Sequence, residues 1–178
     1  MLLFNVAQLI KEGIGSTRHN EVSGVLNDLD EYNPGPTLVE GEVTLMLTAL
    51  GILASVKARF EAKRACRRCL EEVTDSFQVA FDEEFLPSID VETGVKLPLD
   101  DTADPVLVID EHHTLDLTEV LRQYALVELA EGTLCRLDCN GLCPGCGQNL
   151  NTGKCTCDHA IVDPRLAVLA QLFNQENK

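Results

Sequence analysis

From Val39 to Thr48 the chain alternates, with Val39, Gly41, Val43, Leu45 and Leu47 on one side and Glu40, Glu42, Thr44, Met46 and Thr48 on the other. A period of two belongs to a strand with one buried face, so a strand is predicted here. After a turn at Ala49-Leu50-Gly51, Ile52, Ala54, Val56, Ala58 and Phe60 point one way while Ser55, Lys57 and Arg59 point the other. This predicts a second strand, in a hairpin with the first. Val73, Phe77, Val79 and Phe81, set against Thr74, Ser76, Gln78 and Asp82, predict a third. Three such strands imply an antiparallel sheet or a small open barrel, to which "PVLVID" at 105–110 adds one short strand.

At Asp116 the period lengthens. Leu117, Val120, Leu121, Tyr124 and Val127 recur at helical spacing, with Asp116 placed to cap and Glu119 to reach back. The spacing predicts a helix of about four turns ending near Gly132. Another helix is predicted at the C-terminus, with Asp163 as cap, Pro164 in the first turn, and Leu166, Leu169, Ala170 and Phe173 as its apolar stripe. The opening "MLLFNVAQLIKEGIG" reads as an amphipathic helix or a strand leading into one. Residues 15–37, broken by Asn33-Pro34-Gly35-Pro36, read mostly as loop. The stretch 82–104 reads as an acidic loop interrupted by Pro87, Gly94 and Pro98. The expected fold is α+β: an antiparallel sheet or small open barrel with two or three helices and a cysteine-rich zinc lobe. Its parts are an α+β core over 1–132, a zinc-knuckle lobe over 133–160, and a helix over 161–178 packing back on the core.

Length and charge narrow the function. The 178 residues suffice for one domain-sized core with a small appendage. With 14 Lys and Arg against 29 Asp and Glu, the net charge of −15 opposes a general nucleic-acid binder and anionic membranes. No apolar run approaches the ~20 residues of a membrane span, and the N-terminus lacks the basic flank of a secretory signal. A cytoplasmic location follows as the expectation, where thiols stay reduced and clustered cysteines favour metal over disulfides.

Six of the eight cysteines lie between Cys135 and Cys157. Cys143-Pro144-Gly145-Cys146-Gly147 fits the turn that presents two thiolates to zinc, and Cys155-Thr156-Cys157 can complete a tetrahedron. The remaining Cys66, Cys69, Cys135 and Cys139 make a second foursome that would clip the corner between two strands to the cysteine lobe. One or two structural zinc ions are therefore expected. For the second set a redox pair or an unmetallated turn stays open, and mixed sets using His112, His113 or His159 are less economical. All-cysteine sites are closed, and the sequence offers no phosphate-cradling glycine loop, no H-E-x-x-H and no nucleophile with a base. No catalytic residue, no small-molecule substrate and no further cofactor is expected. Asp100, Asp101 and Asp104 read as a solvated loop before a cation site.

One stretch departs from the acidic average. In "KARFEAKRACRR", Lys57, Arg59, Lys63, Arg64, Arg67 and Arg68 stand against a single glutamate. Such a patch either offsets the −2 charge of a four-thiolate zinc or contacts a phosphate or a protein partner.

"ACRRCLEEV" after two strands, "DLTEVLRQYALVELA" running into "CRLDCNGLCPGCGQNLN", then "CTC" and "DPRLAVLAQL", resemble in order and spacing the YceD family of large ribosomal RNA subunit accumulation proteins. The resemblance spans the chain from about Val39 onward. It implies a bacterial or organellar protein needed for large-subunit rRNA to be made, processed or retained, and with no catalytic residue in the sequence a non-enzymatic factor is expected. Its partner would be rRNA or a basic ribosomal or processing protein, met at Arg67, Arg68, Leu70 and Glu71, with Arg64 from the basic stretch beside them. The alternative is a zinc-stabilised protein-interaction module unrelated to ribosomes.

Overall fold

The inward side of the central hairpin carries small and branched side chains, and that choice shapes the sheet. The computed structural model describes residues 1–99 and 102–157. The chain runs through β1 (Leu3–Asn5), α1 (Ala7–Glu12), β2 (Thr17–Asn27), β3 (Pro36–Leu47), β4 (Ile52–Ala65) and β5 (Glu72–Pro87). A 3-10 turn (Pro105–Leu107), β6 (Val108–Ile109), β7 (Thr114–Asp116) and α2 (Thr118–Ala130) follow. Strands β2 to β6 form one sheet in sequence order, antiparallel except for the short β5–β6 pairing, and β1 pairs with β7. Gly41 on β3 stands opposite Ala58 on β4, so close that a Cβ on Gly41 would collide with the Lys57 carbonyl and with Ala58. Glycine permits this approach. With Ala54, Ala58 and Ala62 lining the same buried side of β4, the sheet curls into an open half-barrel.

One hydrophobic cluster joins the inner face of the sheet to its cover. Val39, Val43 and Leu45 meet Ile52, Val56 and Phe60, then Val79, Phe81 and Phe85. Leu2, Phe4, Val6 and Leu9 from the N-terminal segment, and Val120, Leu121, Ala125 and Leu129 from α2, complete it. Each fully buried side chain of this size contributes about 1.5–3 kcal/mol. Helix α2 packs on β5, where the Tyr124 ring stacks on Phe81 with centroids 4.3 Å apart and its hydroxyl donates to Glu83 Oε1 at 2.7 Å. That hydrogen bond and the nearby carboxylates raise the Tyr124 pKa. The helix is entered at Leu117, which makes no side-chain cap, and Asp116, expected as the cap, sits one residue earlier and accepts from the Thr118 N–H at 2.8 Å; among the described residues Glu119 makes no hydrogen bond reaching back.

The half-barrel agrees with the open sheet expected from the alternation, and the turn at 48–51, the strand at 108–109 and the helix ending before Gly132 fall where the pattern placed them. Three readings change. Residues 17–27 are a strand, not loop, because they pair residue for residue with β3. Strand β5 continues through the acidic run to Pro87, since Phe85 is fully buried between exposed or half-buried neighbours. Val127 is 63% exposed, so the buried stripe of α2 passes through Ala125 and Leu129 instead. The helix expected over 161–178, with Asp100, Asp101 and His159, lies outside the described residues. Asp104 Oδ1 accepts from the Val106 N–H at 2.9 Å and so caps the 3-10 turn.

Candidate metal centres

The first cysteine turn closes the end of the β4–β5 hairpin. Cys66, just beyond β4, donates its N–H to the Glu71 carbonyl at 2.8 Å, and its own carbonyl accepts from the Leu70 N–H at 2.9 Å. Leu70 takes a left-handed φ of 62° to make this closure, a conformation that disfavours a branched side chain. The turn then meets the segment after α2: Cys66 bridges Thr133, and the Arg67 N–H donates to the Thr133 carbonyl at 3.0 Å. This delivers Cys135 and Cys139 to Cys66 and Cys69.

The second turn is formed by Cys143-Pro144-Gly145-Cys146. The N–H groups of Gly145 and Cys146 point at the Cys143 sulfur at 3.3 and 3.4 Å. A Leu142–Asn149 bridge closes the small ribbon behind it, and Cys155 Sγ lies 3.3 Å from Cys143 Sγ.

The four sulfurs of Cys66, Cys69, Cys135 and Cys139 all lie within 4.8 Å of one another, as do those of Cys143, Cys146, Cys155 and Cys157. These are the two foursomes the spacing grouped. In the first, Cys66–Cys139 and Cys69–Cys135 are 3.8 and 3.6 Å apart. Sulfurs at about 2.3 Å from a central ion form a tetrahedron with edges of about 3.8 Å. A disulfide would need about 2.05 Å. The donor set, its spacing and the N–H groups aimed at sulfur therefore suit a soft tetrahedral cation.

Thiol acidity points the same way. N–H groups of Cys135, Cys69 and Arg68 hold the Cys66 pKa down to about 6, whereas burial and the neighbouring sulfurs push Cys135 up to about 12. Against burial, which raises it, the N–H groups of Cys146 and Gly145 and the Cys155 thiol bring Cys143 down to about 6. The Cys146 sulfur, burial and Cys143 push Cys157 up to about 12. Thiols this close cannot all ionise unless a cation sits between them.

Two asparagines, to which the cysteine spacing assigns no role, join the centres. Asn151 Nδ2 donates to Cys139 Sγ at 3.2 Å, while its Oδ1 accepts from the Asn140 N–H and from Arg136. Asn149 Nδ2 donates to Glu71 at 2.8 Å. Residues of the second turn thus orient the first, as outer partners orient metal ligands generally. The alternation in "NLN" was the available signal.

The basic stretch is divided. Lys57 stands opposite Glu42, Arg59 pairs with Glu40 at 3.6 Å, and Lys63 pairs with Glu72 at 3.2 Å, all on the outer face of β4. Arg64 turns to the other side. Its guanidinium pairs with Asp30 at 2.6 Å, lies over the Tyr32 ring, and donates twice to the Leu129 carbonyl at the end of α2. Arg67, Arg68, Leu70 and Glu71 remain exposed at the corner. Arg68 donates to the Cys139 carbonyl at 2.9 Å, and among the described residues no guanidinium bonds a sulfur. Leu70 is 66% exposed, and Leu137, between Cys135 and Cys139 in the chain, is 93% exposed. Among the described residues no histidine joins either foursome, and His112 and His113 lie in the turn before β7.

The family model described as "Large ribosomal RNA subunit accumulation protein YceD" matches residues 54–173, a span holding all eight cysteines. Uncharacterised proteins of Mycobacterium tuberculosis and Mycobacterium bovis are each 32% identical over 127 residues, covering 71% of this chain. The chain spans 58% of the length of these relatives. No solved structure matches it significantly.

Proposed function

Because the chain belongs to the YceD family, we propose that it is a non-enzymatic factor required for the accumulation of large-subunit rRNA, built on two structural four-cysteine zinc sites. The observation that carries this reading is the coincidence of the family match with both cysteine foursomes and with the exposed corner between them. Zinc suits closed all-sulfur sites, which leave no open position for water and so favour structure over hydrolysis. The partner is rRNA or a basic ribosomal or processing protein, contacted through Arg67, Arg68, Leu70 and Glu71. Arg64 supports that surface from behind by fixing the end of α2. The acidic average repels phosphate at long range, so a contact with RNA must be local to this corner.

Depletion of the protein, with large- and small-subunit rRNA quantified together, tests the reading. A fall in the large-subunit share that is restored by the wild-type chain supports it, and an unchanged ratio refutes it. Arg67→Glu combined with Arg68→Glu should fail to restore the ratio while the melting temperature holds, since exposed charge changes rarely move stability beyond ~0.5 kcal/mol. A variant that restores it fully would remove the corner from the account.

A further inference from the structure

Strand β2 lies at the edge of the sheet, eleven residues long and paired one to one with β3 from Thr17–Met46 to Asn27–Pro36. It holds no proline and no bulge. The Leu47 N–H donates to the Ser16 carbonyl, which sets the alternation of the ladder: even-numbered residues of β2 bond to β3, and odd-numbered ones aim their backbone groups away from it. Among the described residues, the N–H and C=O groups of Thr17, His19, Glu21, Ser23, Val25 and Asn27 have no hydrogen-bond partner. Natural edges are usually kept short, bulged or covered, because such a row pairs readily with another strand.

The side chains beside this edge state what would fit. Glu21 stands directly opposite Glu42, with Glu40 in the next row, and the described residues place no salt-bridge cation on Glu21. Like charges directly opposite each other on a sheet are destabilising. Four residues on, exposed Val25 stands opposite exposed Leu38. A groove of about 710 Å³, lined by Glu21, Glu40, Glu42, Lys57 and Arg59, opens from the edge across the outer face.

We infer that the β2 edge docks an extended segment of a basic partner protein, which adds a sixth strand with a cation opposite Glu21 and an apolar residue opposite Val25. Backbone pairing supplies the binding and the two side chains set the register. A second copy of this chain is the poorer occupant, since pairing β2 with itself would bring together two molecules of charge −15 and set their glutamates side by side. The β2 edge itself, with Glu40 and Glu42 on β3, lies before residue 54, outside the family match, and uses residues other than the cysteine corner. It shares with the function proposed above only the expectation of a basic partner, so either can fail alone.

The test is amide hydrogen exchange by NMR on the full chain, with and without a capped peptide Lys-Val-Thr-Thr-Thr-Lys. In the free chain the odd-numbered amides of β2 should exchange fast and the even-numbered ones slowly. Peptide at ten times its Kd should slow the amides of Glu21, Ser23 and Val25, the odd-numbered ones it spans in this register, by about tenfold. The same peptide N-methylated at alternate residues, or carrying Glu for Lys, should give no protection. Ser23→Pro removes an outward N–H without touching the β3 ladder, and it should weaken binding at least severalfold. Glu21→Lys should abolish binding while the melting temperature stays level or rises, because the clash with Glu42 is relieved. Amides of Glu21, Ser23 and Val25 left unprotected by the peptide, protection by the N-methylated or acidic peptide, or odd-numbered amides already protected through a concentration-dependent dimer would each overturn the inference. Loss of binding in this assay with an intact effect on large-subunit rRNA would overturn the edge alone.

Discussion

Leu70 is the residue whose conformation and exposure disagree with its type. A leucine at φ 62° costs about 1–2 kcal/mol relative to an ordinary backbone, and this one leaves two thirds of its surface in water. Nothing in the fold requires that side chain, because the turn closes through the backbone of Cys66 and Glu71. Leu70→Gly should therefore leave the melting temperature unchanged or raise it by a few degrees, while the large-subunit rRNA share falls toward that of depleted cells. Thermal denaturation and rRNA quantification on the one variant check both halves, and a full rescue of the ratio would show that Leu70 is not a contact. Cys66 and Cys146 contrast in another way, the first fully buried and the second exposed. Cys66→Ser should cost one metal ion and unfold the corner where β4 meets the segment after α2. Cys146→Ser should cost the other ion and loosen mainly the 140–157 turn, with the smaller fall in melting temperature.

Among the elements, β3, β4 and the first part of β5 were legible because one face is buried and the other polar, so every second residue reports its side. Strand β2 was not, since its inward row runs Asn20, Val22, Gly24, Leu26, with only two apolar side chains in that row and a third, Val25, on the exposed face. Its strand character comes from pairing with β3, which no local pattern announces. The end of β5 hid for a related reason: Asp82, Glu83 and Glu84 mask the single buried Phe85. Both cysteine foursomes were legible from spacing, whereas the asparagine links were not, because an amide side chain reveals its partner only in three dimensions. Arg64 shows the same limit, being one cation in a basic run by sequence and a tie between β4, the loop at Asp30 and the end of α2 in the fold. Arg64→Met should lower stability by about 2 kcal/mol, since two charged hydrogen bonds and a half-buried ion pair go together. That corresponds to roughly 4–8 °C in melting temperature for a chain of this size. No change would mean that α2 is held by its apolar face alone.

At the scale of the whole molecule, the first foursome joins the cysteine segment to the half-barrel and the second closes that segment on itself, and metal binding at either should be linked to pH. Without metal at neutral pH, Cys66 and Cys143 are ionised at about 6, while Cys135 and Cys157 near 12, together with the raised Cys69 and Cys155, keep their protons. Metal entry must then expel at least two protons per centre, so affinity rises with pH and fails as pH falls through about 6, where the lowered thiols also take up protons. Titrating zinc into metal-free protein at constant pH and counting the base consumed checks the sign and the number, and no proton release would contradict it. The central claim is that the eight cysteines form two separate tetrahedral sites, each able to supply on the order of 10 kcal/mol of folding free energy. Native mass spectrometry of the full chain, prepared reduced and without chelator, tests this most directly. The account predicts a single dominant species carrying two zinc ions, falling to one in Cys66→Ser and to one in Cys146→Ser; a wild-type chain holding no zinc, or the same ion lost in both variants, would contradict it.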